Sequence, residues 1–148
     1  MSANSVIYRP AIASDVEAIH GVVSRMVEGT CFLPPTHKKL ERVVTGGSFY
    51  HEGVWDGDEL VAFMVGQLSE TFLNDEVNAY EKGLFVVPEH RGGTIAVRLV
   101  RNFEAWARRS GAKNIWLGQS VGQNQASTLH FFERLGYLCQ GFITCKKL

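Results

Sequence analysis

The residues best placed to do chemistry lie in one run, Leu84-Phe85-Val86-Val87-Pro88-Glu89-His90-Arg91-Gly92-Gly93-Thr94-Ile95-Ala96. An apolar, strand-like stretch passes through proline into an Arg-Gly-Gly turn and then directly into a segment of helical periodicity. Such a turn suits an anion. Glycines let the backbone bend closely around a ligand, and the first turn of a helix points unpaired N–H groups and a partial positive charge outward. A pyrophosphate is a natural occupant. The same residues also describe a plain corner with Arg91 as a solvated charge, and the turn alone does not separate the two readings.

Acid–base candidates are fewer. Glu81 lies upstream in the same strand, where alternation lets only one of Glu81 and Lys82 face a given side. His90 and His130 have suitable chemistry, but one sits beside a turn and the other on a helix, positions where histidine is usually solvated. Cys31, Cys139 and Cys145 are odd in number and lack Cys-x-x-Cys spacing. They read as free thiols in a reducing compartment rather than a disulfide scaffold or metal site. Cys139 and Cys145 could still face each other across a terminal hairpin.

The elements that must position these residues follow from periodicity and punctuation. A short strand is predicted around Val6 to Tyr8. Ser14 with Glu17 forms a capping-box pattern opening a helix whose buried stripe is Val16, Ile19, Val23 and Met26. Pro34-Pro35 breaks the chain before a second helix, Thr36 to Val44. Strands Phe49–Trp55 and Leu60–Leu68 flank the hairpin signal Asp56-Gly57-Asp58. A polar loop over Glu70–Asn78 leads to a strand Ala79–Val87, with Gly83 marking a bulge. The longest helix runs from Thr94 to Ser110, burying Ile95, Leu99, Phe103 and Trp106, with Glu104 and Arg108 as a surface pair. A strand Asn114–Gln119, a helix Gln123–Leu135 capped by Gly136, and a strand pair within Tyr137–Lys147 complete the chain. The order implies an α/β protein with a mixed sheet and an antiparallel front half.

The 148 residues suit one domain, spanning 1–148. Fifteen basic residues balance fifteen acidic ones, so the chain lacks the basic excess of a general nucleic-acid binder. No apolar run reaches the length of a membrane span, and the amino terminus has no signal-peptide pattern. A cytoplasmic protein with no nucleic-acid or membrane partner is expected.

Taken together, Val87-x-x-x-Arg91-Gly92-Gly93 followed by Ile95-Ala96, the strand Ile115-Trp116-Leu117, the helix end Phe131-Phe132-Glu133-Arg134-Leu135-Gly136-Tyr137 and the opening Tyr8-Arg9-Pro10-Ala11 resemble the GNAT superfamily of N-acetyltransferases in order and spacing. The resemblance covers nearly the whole chain. It implies a sheet of about seven strands with flanking helices, splayed between the fourth and fifth strands, with acetyl-CoA as co-substrate in the cleft. Main-chain groups near Phe85 and Val86 would pair with the pantetheine arm as an added strand. Amides of Gly92, Gly93, Thr94, Ile95, Ala96 and Val97, with Arg91, would hold the pyrophosphate. The amide near Val86 would stabilise the thioester oxygen. The acceptor would be an amine on a small molecule or protein, reached by direct attack on the thioester. Oligomeric state stays open, a homodimer among the alternatives.

Two positions depart from the family pattern. Thr94 stands where the motif usually has Gly, so a β-carbon crowds the phosphate path, although its hydroxyl could cap the helix. Phe132 stands where many members place a Tyr that protonates the departing thiolate; a thiol of pKa ~8.5 can leave as its anion, or Tyr80 or Tyr137 could deputise. Glu81 is the one carboxylate on the cleft strands, since Gly118, Gln119 and Ser120 offer none. These departures define the alternative reading, an interaction module on the same fold that binds acetyl-CoA weakly or not at all.

Overall fold

A computed structural model describes residues 5–118, 124–141 and 143–148. Strand β1 (Ile7–Arg9) leads through a 3-10 turn (Ala13–Asp15) into helix α1 (Val16–Val27), followed by α2 (His37–Thr45). Three antiparallel strands come next, β2 (Tyr50–Asp56), β3 (Glu59–Thr71) and β4 (Asn74–Val86). A second 3-10 turn (Pro88–His90), helix α3 (Ile95–Arg109), strand β5 (Asn114–Trp116) and helix α4 (Gln125–Arg134) complete the order. The sheet runs β1-β2-β3-β4-β5, antiparallel except for the parallel β4–β5 pair.

Local chemistry accounts for most boundaries. Thr36 caps α2 by accepting the N–H of Lys39, satisfying a donor the helix cannot. Asp15, not Ser14, stands at the N-cap of α1 and makes no side-chain bond to that helix; its Oδ2 instead accepts the Ile12 N–H at 2.8 Å across the 3-10 turn and also takes Arg9 at 2.7 Å. Gly57, at φ +60°, turns the β2–β3 hairpin between Asp56 and Asp58, as its sequence signal predicts. Gly136, at φ +95°, ends α4 as expected. Ile19 on α1 and Leu99 and Phe103 on α3 pack fully buried with Val54, Val61, Ala62, Met64 and Ala79 of the sheet.

Four expectations are corrected. The polar stretch Glu70–Asn78 is no loop: Ser69 pairs with Asn78 and Glu70 with Val77, leaving only Phe72-Leu73 as the turn. Thr71 and Asn74 side chains hold that turn by accepting the N–H groups of Leu73 and Glu76. Polar composition does not prevent pairing where both faces of a hairpin are wet, because the main chain makes the ladder.

Glu104 is buried, not a surface partner. It accepts from Arg101 at 3.0 Å and from the Tyr137 hydroxyl at 3.0 Å, with Arg108 only at 3.9 Å. The sheet has five strands rather than about seven, and the described part of Tyr137–Lys147 holds no strand. A three-residue β5 presents few ladder groups for a further strand to extend. The Cys139 Sγ turns to the Gly141 carbonyl at 3.6 Å rather than to Cys145.

Candidate functional site

Strands β4 and β5 touch only where Asn78–Tyr80 pair with Asn114–Trp116. β4 then continues to Val86 while β5 stops, so the sheet splays between the fourth and fifth strands. Val87 donates its N–H to the Val61 carbonyl of β3. Successive residues turn their main-chain groups to opposite edges, so Val86 faces the open side. There its carbonyl accepts Nε of Arg91 at 2.8 Å. By the same alternation Phe85, paired with Phe63, directs its main chain to β3; its ring lies under the Arg91 guanidinium, 5.4 Å away.

The turn beyond is built for close approach. Gly92 sits at φ +86°, a conformation that a β-carbon disfavours, and a β-carbon at Gly93 would meet nothing within 4 Å. Thr94 occupies the N-cap of α3 without a side-chain bond to the helix, and its carbonyl takes the Arg98 N–H. The N–H groups of Ile95, Ala96 and Val97 therefore remain as first-turn donors. A cavity of about 90 Å³ is lined by Val86, His90, Arg91, Gly92, Gly93, Ile95 and Ala96. Its glycine turn, helix amides and guanidinium fit the pyrophosphate of a coenzyme-A thioester. His90 is pinned beside this turn by Asp56, Nε2 to Oδ2 at 3.1 Å. That brace reaches across from the β2–β3 turn, and the hairpin signal at Asp56 gives no hint of it.

Glu81 occupies the apex of the splay, one residue past the last β4–β5 pair. A bulge at Lys82 sets its direction: Val65 pairs with Gly83 and Gly66 with Glu81, leaving Lys82 unmatched and exposed. The residue as a whole is half-buried, but its carboxyl lies deep, and burial pushes the pKa up to about 7. The N–H of Gly118 donates to it, and nearby Lys82 also favours the anion, but neither offsets the loss of water. Gly118 lacks a carboxylate of its own, yet its amide anchors the one on β4, a role no side-chain inventory can reveal.

The other candidates are placed elsewhere. Phe132 is buried, with its ring 6.3 Å from that of Tyr137 and 5.6 Å from half-buried Phe131. The Tyr137 hydroxyl is engaged by Glu104, and burial with that bond drives its pKa well above the usual range. Tyr80 stacks on Trp116 at 6.3 Å. His130 is exposed on α4. Gln119 and Ser120 lie outside the described residues. A larger hollow of about 660 Å³ lies under the β3–β4 tip, among Leu68, Thr71, Phe72 and Val77, and does not include Glu81. Among the described residues no group of three His, Cys, Asp or Glu side chains could hold a metal ion, and no helix is long and apolar enough to cross a membrane.

Comparison with known proteins agrees with this geometry. No curated protein matches the chain. Among solved structures, the aminoglycoside acetyltransferase AAC(6')-Iy in complex with a CoA bisubstrate analogue superposes with a TM-score of 0.79 at 14% identity, covering 97% of this chain and 98% of that one. An aminoglycoside acetyltransferase from an uncultured soil metagenomic sample gives 0.76 at 15% identity, covering 97% and 99%. A ribosomal-protein-alanine N-acetyltransferase from Brucella melitensis biovar Abortus 2308 gives 0.74 at 12% identity, also covering 97% and 99%. At such identities the likeness is one of fold. The model of the acetyltransferase (GNAT) family matches residues 23–137, and the chain belongs to that family.

Proposed function

We propose that the protein transfers an acetyl group from acetyl-CoA to the amine of a small molecule or protein by direct attack of that amine on the thioester. The observation that carries this reading is Glu81: a deep carboxyl at the apex of the open cleft, with a pKa of about 7. A base so tuned is about half ionised at neutral pH and takes a proton without holding it too tightly. The need is real, since only ~10⁻³ to 10⁻⁴ of a lysine-like amine is neutral at pH 7.

In this reading the Arg91–Val97 turn binds the pyrophosphate, and the Val86 main chain receives the pantetheine arm. Arg91 must then release or share the Val86 carbonyl that its Nε holds. The Val86 N–H, on the same edge, stabilises charge on the thioester oxygen as the amine adds. Glu81 removes the amine's proton, directly or through a water, and the coenzyme leaves as its thiolate. A thiol of pKa ~8.5 departs acceptably without a proton, so Phe132, at the position where the family resemblance puts an acid, need not supply one.

Titration calorimetry with acetyl-CoA, paired with a transfer assay over a panel of amines, tests the proposal. Heat of binding, a raised Tm and release of free coenzyme A dependent on the amine are expected. The absence of both heat and a thermal shift at millimolar acetyl-CoA would favour the interaction-module reading; binding without transfer to any amine would keep the cofactor site and overturn the catalytic one.

A further inference from the structure

The β3–β4 hairpin outruns the sheet that carries it. β2 reaches only to Tyr50, opposite Gly66, and β5 only to Asn114, opposite Asn78. Beyond them, residues 69–77 form a two-stranded arm with no further described strand on either side. Such a ribbon is marginally stable in water by itself. Its tip also bares apolar surface, since Phe72 is 98% exposed and Leu73 72%. Beneath the arm lies the hollow of about 660 Å³, walled by Leu68 and Val77 of the ribbon and by Ser110 at the end of α3. The tip cannot fill it, because the ladder runs on to the Thr71–Asn74 pair and both of those side chains hold the turn. Phe72 borders the hollow but stays exposed at its rim.

The arm and the far wall of the hollow carry opposite charge. Glu70, Asp75 and Glu76 are exposed on the arm, whereas Arg108, Arg109 and Lys113 are exposed where α3 ends and β5 begins, around Ser110. Lys113 is tied to the foot of the arm by its N–H, which the Val77 carbonyl accepts at 2.8 Å. Among the described residues none of the three carboxylates is in a salt bridge, and on the basic side only Arg108 is, with Glu104 at 3.9 Å. We propose that two copies of this chain dock through these arms. Phe72 and Leu73 of each copy enter the hollow of the other, and each acidic tip lies against the basic end of α3 of the partner subunit. Tip and hollow sit side by side on one chain, so a two-fold axis satisfies both at once and closes the pair. One chain thus carries both halves of the fit, in shape and in charge. Docking removes the apolar tip from water, and the opposite charges fix its register. Neither contribution involves Glu81, which the hollow does not include, so the pairing stands apart from the catalytic reading.

Sedimentation velocity of the full chain over a range of concentrations and salt tests the pairing. A dimer that weakens as salt screens the charges is expected. Phe72→Ser combined with Leu73→Ser should weaken it about thirtyfold or more, with an unchanged circular dichroism spectrum, because both residues lie in an exposed turn. Two charge-reversed proteins, Asp75→Lys with Glu76→Lys and Arg109→Glu with Lys113→Glu, should each be monomeric alone and form a one-to-one dimer when mixed. A wild-type monomer at near-millimolar concentration and low salt would overturn the proposal. So would a dimer indifferent to Phe72 and Leu73, or charge-reversed proteins that fail to pair on mixing.

Discussion

Two stretches of β4 are held very differently. Asn78–Tyr80 lie between β3 and β5, with both edges of the main chain paired. Residues 82–86 keep β3 on one side and have no described strand on the other. The paired end is scaffold, and the half-paired end offers main-chain groups that a ligand can complete. Glu81 stands at the boundary, near enough to the scaffold to be fixed by Gly118 and near enough to the opening to meet a substrate.

Glu81→Gln should break this comparison most severely. Acetyl transfer should fall about 10²–10⁴-fold, and the rise in rate as pH passes through about 7 should vanish. Stability should move the other way. Burial raises the folded-state pKa of Glu81 above its ordinary 4.5, so between pH 4.5 and 7 the folded protein holds a proton that the unfolded chain releases. Wild-type stability therefore falls through that window, by roughly 3 kcal/mol at most. A glutamine amide does not titrate there, so Glu81→Gln should melt higher than wild type at pH 8 and show no such gain near pH 4. Loss of both activity and stability would instead make Glu81 a structural residue.

Arg91→Ala combined with Gly93→Val addresses the turn at the open end. Both are exposed, and Gly93 has space for a β-carbon, so the fold should survive while acetyl-CoA affinity drops on the order of tenfold or more by calorimetry. Phe132→Tyr should raise turnover about tenfold by supplying the missing acid; lost activity in a stable variant would show that an apolar side chain is needed there.

The smallest effect sharpens the contrast between scaffold and site. A β-carbon at Gly66, beside Glu81 on β3, would fall on the Phe103 ring, whereas one at Gly93 meets nothing. Gly66→Ala should cost about 1–3 kcal/mol in denaturant unfolding, and Gly93→Ala close to nothing.

The Arg91-Gly92-Gly93 turn was legible because its chemistry is local. Proline, Arg91, two glycines and the start of an amphipathic helix sit next to one another in sequence, and each acts through its own backbone. The α1, α2 and α3 helices were legible for the same reason, since periodicity and caps span only a few turns. Glu104 shows where that logic stops: an i, i+4 neighbour suggests a surface pair, but Tyr137, far along the chain, buries it.

Sequence by itself therefore determined the family, the order of elements up to α4 and the Arg91-Gly92-Gly93 turn, because short-range backbone chemistry sets all three. Only tertiary structure decided that Glu81 and not Lys82 points inward, through a bulge whose register depends on β3. It alone brought Gly118 to the carboxyl and Asp56 to His90. Each of those depends on where distant segments cross, and residue type carries no record of that until the chain has packed.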